Sequence, residues 1–249
     1  MAIIKIGTVF PTNNSGDVVV LEYIGPKDII ILFKDGTTRH VPAGDLRRGL
    51  VKNNFQPSVN GKGFLGDGVF RSRHIGNAQT SEYRAWTAML SRCYSAGSLS
   101  RNPTYLGCSV CDAWLNFQVF AEWYTKQNGF EKGFHLDKDH TVCGNKVYSP
   151  QTCQLIPQEV NKVLLDCFAN RGEYPQGVCY DKRYGTFVSV VRIYNTRTHL
   201  GTFATPEHAF AVYKKAKEAH VKEIAAKYQH DITQTIYNNL INYAVSITD

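Results

Sequence analysis

The period of the apolar residues switches repeatedly along this chain, and no single layer of helices or of strands accommodates the result. Over the first fifty residues, short β-branched runs alternate with turn signals: Ile3–Val9, Val18–Ile24, Ile29–Phe33, then Lys34-Asp35-Gly36 as a hairpin turn and Thr37–Val41. Ser81–Tyr94 and Asp112–Gln127 change to helical spacing, with Tyr83, Trp86, Met89, Leu90 and Cys93 on one stripe and Trp114, Phe117, Phe120, Ala121 and Tyr124 on the other. Stripes at this spacing pack inward, so they read as core and not as base-stacking platforms. Residues 135–161 then read strand, loop, strand and a helix from Pro157. Beyond Arg171-Gly172 come three short strands, Val178–Tyr180, Phe187–Tyr194 and His199–Phe203, and a long helix, Pro206–Tyr228. Thr205 can cap that helix, Pro206 suits its first position and Glu207 its positive end.

The succession predicts an α+β fold in four parts. They are a small N-terminal β-barrel over 1–60, a central unit on aromatic helices over 61–170, a three-stranded sheet with its helix over 171–230, and a C-terminal helix over 231–249 that covers an exposed edge. The Asn-, Gly- and Pro-rich stretch from Asn53 to Gly68 marks the first boundary, as a linker or an extended loop.

Within the central unit, Asp139-His140 is followed by Pro150 eleven residues after Asp139 and by Asn161 eleven after Pro150. An Asp and a helical Asn offer hard oxygen ligands to one divalent metal, and a His too distant to share it can take the proton from an attacking water. The segment His135–Asn161 resembles the HNH (ββα-metal) nuclease family, whose pattern runs Asp-His, a Gly/Asn loop, Pro-x-Asn-Leu, and a final Asn or His on the helix. The resemblance implies that Mg²⁺ or another divalent metal is held by Asp139 and Asn161, with His140 as general base and Asp137 and His135 as a reserve pair. Lys138 or Lys146 would stabilise the developing phosphorane charge. Thr152 replaces the Asn of the family pattern in Pro150-Gln151-Thr152-Cys153. A second register is open, in which Leu136-Asp137-Lys138 takes the hydrophobic-Asp-His place. Protonated Lys138 is then a poor base at neutral pH, and the fold survives while cleavage is lost.

Gly177-Val178, Lys182, Arg183, Gly185, Phe187–Arg192 and the run Leu200-Gly201-Thr202-Phe203, followed by Thr205, Glu207 and Ala209, resemble the Apetala-type (AP-two) DNA-binding domain. Phe187 stands where that family usually has Trp. The resemblance implies a sheet lying in the major groove with the helix behind it, and outward-facing Tyr180, Lys182, Arg183, Arg192 and Arg197 as DNA contacts. Charge agrees with this. The chain carries a formal +7, and residues 171–230 hold ten Lys/Arg against five Asp/Glu, the largest excess of any part. Arg39, His40, Arg47 and Arg48 near the end of the first part track a phosphate backbone or form a solvated face.

Seven cysteines at irregular spacing fit reduced thiols in a cytoplasmic protein. Cys108 and Cys111 could be half of a structural zinc site, with Cys143 and Cys153 completing it, or simply buried thiols. No apolar run approaches the roughly 20 residues of a membrane span, and the start lacks a basic leader, so a soluble cytoplasmic protein is expected, in the host cell if phage-encoded. The joint expectation is a phage-like homing-type HNH endonuclease hydrolysing phosphodiester bonds of double-stranded DNA. It would nick as a monomer and need two copies on the DNA for double-strand cleavage. The alternative is a catalytically inactive DNA-binding protein on an HNH scaffold, and a protein-interaction module engaging an acidic partner is a third reading.

Overall fold

Ile29, Ile31 and Phe33 are buried while their neighbours are half-buried, and that period of two sets the centre of the N-terminal sheet. The computed structural model describes residues 3–138, 144–163 and 173–247, a mixed α+β fold. The chain divides into two compact units, Met1–Thr125 and Lys126–Asp249, so the division falls inside the segment 61–170.

In the first unit, β1 (Val9–Pro11), β2 (Asp17–Gly25), β3 (Asp28–Phe33) and β4 (Thr38–Val41) pair antiparallel in the order β1-β2-β3-β4. The expected barrel is therefore an open sheet. Closure requires the two outermost strands to pair with each other, and here β1 and β4 are edges that meet no further strand among the described residues. The first strand begins at Val9 and not at Ile3, because Gly7 at φ 80° turns the chain and a Lys5 carbonyl accepts from the Thr8 N–H. Asp35-Gly36 makes the expected hairpin turn: Gly36 sits at φ 87° and Asp35 Oδ1 accepts from the Thr37 N–H and hydroxyl at 3.1 and 2.7 Å. α1 (Ala43–Arg47) contributes Ala43 and Leu46 to a core with Phe10, Val18, Val20 and Val51.

The aromatic stripes are core, as expected. α2 (Ser81–Tyr94), capped by the Thr80 hydroxyl, is followed by α3 (Ala96–Arg101), the 3₁₀ turn Pro103–Tyr105 and a short β-segment, β5 (Ser109–Val110). The expected helix Asp112–Gln127 is two helices, α4 (Asp112–Leu115) and α5 (Phe117–Thr125). Phe64 inserts at the break, its N–H donating to the Leu115 carbonyl and its carbonyl accepting from the Phe117 N–H, while Asn116 Oδ1 accepts from the Gln118 N–H. The stretch Asn53–Gly68 is thus an extended loop pinned onto the helices. A Cβ at Gly63 would lie 2.4 Å from Leu90 Cδ1 and 2.7 Å from Trp86, so only glycine lets the loop approach this closely.

In the second unit, β6 (His135–Asp137) pairs antiparallel with β8 (Gln154–Ile156), after the short segment β7 (Val147–Tyr148), and α6 (Gln158–Val163) follows. β9 (Val178–Asp181), β10 (Thr186–Ile193) and β11 (Thr196–Phe203) form an antiparallel sheet with β10 central, backed by α7 (Pro206–Lys227). Thr205 caps α7 by accepting from the His208 N–H, as its sequence predicts. The C-terminal helix is shorter than expected: α8 runs Gln234–Ile241 from a Thr233 cap, although Val245 beyond it is still buried. Ile156, Val160 and Val163 share a core with Val221, Ile224, Ile236 and Leu240, which fixes α6 to α7 and α8. No helix among the described residues is long and apolar enough to cross a membrane.

Candidate functional site

The three-stranded sheet has one face on α7 and one face open. Val178, Val191, Phe187, Ile193 and Phe203 pack toward Ala209, Phe210 and Tyr213 of the helix. Alternation puts Val188, Val190 and Arg192 of β10 on the other face, and the register sets Thr202, His199 and Arg197 of β11 directly opposite them. Arg192 and Arg197 therefore form a direct cross-strand pair, both exposed, next to the hairpin turn at Tyr194 and Asn195. Like charges in that position repel, so the sheet accommodates a local cost there.

Lys182 and Arg183 lie in the turn at the opposite end of the sheet, where the Asp181 carbonyl accepts from the Gly185 N–H and its carboxylate from the Arg183 N–H. Thr186 to Arg192 spans about 20 Å at a rise of roughly 3.3 Å per residue, so the two basic groups mark the two ends of the sheet. Tyr180 is placed differently from the expectation. Its ring packs against Phe187 and Tyr174, at 5.1 and 5.9 Å between centroids, on the α7 side. It is still 41% exposed, but it is not beside the arginines. His199, which shares their face, is missed by inspection of charge alone. Counting in twos from Arg197 would have found it.

In the hairpin, register places His135 opposite Ile156 and Asp137 opposite Gln154, all on one side of the two-stranded ladder. Ile156 on that side packs with Val160 and Val163, so Asp137 and α6, which carries half-buried Asn161, lie to the same side of the strands. His135 is exposed; Asp137 is buried. Asp139 and His140, and Cys143 with them, lie outside the described residues. Lys138 is 5% exposed, its ammonium donating to the Asn145 carbonyl at 2.8 Å and lying 5.8 Å from the Tyr148 ring centre. The Asn145 amide donates to the carbonyls of Lys138 and Val147 at 3.0 and 2.7 Å and accepts from the Val147 N–H at 3.1 Å. Thr152, in the place of the family Asn, adds a hydroxyl bond of 2.7 Å to the Val147 carbonyl.

Asn145 is thus the residue that ties the hairpin, and sequence reading gave it only a place in the loop. Replacing it with alanine is expected to destabilise the second unit by about 1–3 kcal/mol, the cost of leaving backbone groups unpaired. Urea denaturation followed by far-UV circular dichroism would measure this, and Lys146→Ala, exposed beside it, should stay within about 0.5 kcal/mol.

Among the described residues no group of three or more His, Cys, Asp or Glu assembles a metal site. Burial pushes the Cys153 thiol up to about 12, so it stays protonated at neutral pH. Cys108 is buried and Cys111 half-buried. Comparison with known proteins returns no matching family model, no matching curated protein and no matching solved structure.

Proposed function

We propose that this chain is a duplex-DNA-binding protein of the homing-endonuclease type. In this reading the sheet β9–β11 enters the major groove, and the ββα hairpin hydrolyses a phosphodiester bond. The observation that carries the binding half is the placement of Arg192 opposite Arg197 at one end of the sheet and of Lys182-Arg183 at the other. A sheet about 20 Å long with cations at both ends suits a major groove about 12 Å wide, whose flanking phosphates the end groups can reach. The repulsion built into the Arg192–Arg197 pair is relieved when phosphate lies between them.

The nuclease half rests on the resemblance and on Asp137 and α6 lying to one side of the strands. Asp139 and Asn161 are hard oxygen donors of the kind Mg²⁺ takes, and Asp137 stands in reserve beside them. A bound divalent ion would supply electrophilic stabilisation of the phosphorane. The chain's own part is to hold that ion with Asp139 and Asn161 and to remove a proton from water at His140. Buried Lys138, tied to Asn145, favours a second reading, in which Leu136-Asp137-Lys138 occupies the motif and the hairpin only scaffolds the DNA-binding sheet.

Incubation with supercoiled plasmid in Mg²⁺, Mn²⁺ or EDTA, beside a gel shift, separates the two. For the endonuclease, metal-dependent nicking is expected, and His140→Ala should lower it by about 10²-fold or more with affinity unchanged. A salt-sensitive shift without nicking in either metal would leave the binding protein. No shift at low salt would remove both readings and turn attention to an acidic protein partner.

A further inference from the structure

Strand β4 carries Arg39 on the same side as buried Val41, while exposed Thr38 and His40 alternate to the other. Of the basic residues near the end of the first part, His40 and Arg48 each lie 2.7 Å from a carboxylate, of Asp28 and Asp45. Arg39 meets the extended loop instead. Its Nη1 donates to the Lys52 carbonyl at 2.6 Å and to Asn54 Oδ1 at 3.4 Å, and its Nε and Nη2 have no partner among the described residues. One corner of the guanidinium is therefore held, while an edge able to form bidentate bonds stays open.

Arg39 lines a pocket of about 530 Å³ within the first unit, walled also by Asn54, by residues 65–72 and by the start of α5. Its size falls within the roughly 300–1,000 Å³ of small-molecule sites. The amides in the wall are taken up by structure. Gln118 accepts from the Phe70 N–H at 3.0 Å and donates to the Phe70 and Leu65 carbonyls at 2.9 and 3.4 Å, while Asn54, besides accepting from Arg39, donates to Asp67 Oδ1 at 2.6 Å. What the fold leaves over is cationic and hydroxylic. The guanidinium of exposed Arg71 and the hydroxyl of half-buried Ser72 have no hydrogen-bond partner among the described residues, and neither Arg39 nor Arg71 forms an ion pair with Asp67, the carboxylate of the lining.

Two guanidinium groups and a hydroxyl around one polar space are the donor set that takes a phosphate group. The surroundings favour a phosphate within a chain over a free one. Residues 68–81 hold Arg71, Arg73 and His74 and no Asp or Glu, so positive charge continues from the pocket into the turn that follows. That turn is well formed. The Asn77 N–H donates to the His74 carbonyl at 3.1 Å, Gly76 stands at φ 102°, and Arg73 Nη1 donates to the Asn77 carbonyl at 2.6 Å.

We propose that this pocket seats a backbone phosphate of a nucleic acid, held by Arg39 and Arg71 with the Ser72 hydroxyl as a further donor. The site shares its partner with the reading of the sheet but none of its residues, since β9–β11 and the ββα hairpin belong to the second unit. A contact of this kind adds affinity whatever the base sequence and fixes the register of the protein on the strand. The phosphate of a free small molecule offers the same chemistry, and the test separates the two.

Fluorescence anisotropy of the full chain with a short labelled DNA duplex over a salt series, beside calorimetric titration with inorganic phosphate, tests it. Arg71→Gln should weaken duplex binding about three- to tenfold and lower the slope of log affinity against log salt by about 1. Arg71 makes no side-chain hydrogen bond or ion pair with the described residues, so this variant has no reason to misfold. Arg39→Lys, which keeps the charge and loses the fork, should weaken binding with the slope unchanged. Lys62→Gln, exposed in the same unit but outside the pocket, should stay within about twofold of the parent. An Arg71→Gln chain that differs from the parent no more than Lys62→Gln does would overturn the proposal. So would inorganic phosphate binding that Arg71→Gln abolishes while duplex affinity stays, which assigns the pocket to a free phosphate. If Arg192→Ala with Arg197→Ala leaves duplex binding intact while Arg71→Gln weakens it, the reading of the sheet fails and this one stands; the reverse result overturns this one alone.

Discussion

Trp86→Ala is expected to remove about 3–5 kcal/mol from the first unit, a large part of the 5–15 kcal/mol that holds a typical domain. Trp86 is fully buried, and its indole N–H donates to the Trp114 carbonyl at 2.7 Å. Its ring meets Tyr83 and Phe117 at 5.7 and 5.4 Å between centroids. Truncation loses the transfer free energy of the ring, opens a cavity at the crossing of α2 and α5, and leaves a buried carbonyl unpaired. It also removes the surface against which Gly63 fits, so the loop Asn53–Gly68 loses its seat. All three tryptophans, Trp86, Trp114 and Trp123, lie in Met1–Thr125, so tryptophan fluorescence reports on this unit alone. The urea midpoint should fall by about 2 M at a slope of roughly 2 kcal/mol per molar. Trp86→Phe, which keeps a ring but loses the donor, should fall by less. A midpoint within error of the parent in Trp86→Ala would mean that the aromatic stripe is not the core of the unit.

What the sequence made legible was whatever local chemistry decides. The Asp35-Gly36 turn, the Thr205 cap and the three strands before α7 are fixed by residues close in the chain, and they stand within about three residues of their expected places. Features that depend on distant partners were not readable. The break at Asn116 exists because Phe64, far upstream, bonds on both sides of it, and nothing in the spacing of Trp114, Phe117 and Phe120 announces that. Whether four short strands close or stay open is likewise set by the pairing of edges, not by any one strand's pattern.

The candidate sites divide in the same way. Arg192 and Arg197 can be assigned to one face from alternation alone. Tyr180 cannot, because its side is chosen by Tyr174 and Phe187. The part played by Lys138 depends on a carbonyl seven residues on, across the hairpin it helps to close.

The double substitution Arg192→Ala with Arg197→Ala is expected to weaken duplex-DNA binding by about 10²-fold or more at low salt, since a charge-assisted bond to phosphate is worth about 1.5–3 kcal/mol. The slope of log affinity against log salt should fall by about 2, one for each phosphate contact removed. Stability should move the other way. Because the two side chains face each other directly across the ladder, removing both relieves a repulsion of about 0.2–1 kcal/mol, so the double variant should unfold at an equal or slightly higher denaturant concentration. That opposition makes the test decisive, because weaker binding in a chain at least as stable cannot be attributed to unfolding. Lys182→Ala with Arg183→Ala should lower the slope similarly, since those residues serve the far end of the same sheet. Tyr180→Ala, on the α7 side, should cost stability before it costs affinity. If both double variants bind duplex DNA with the parent's affinity and salt slope, the open face is not the interface, and the basic excess of residues 171–230 serves another anion.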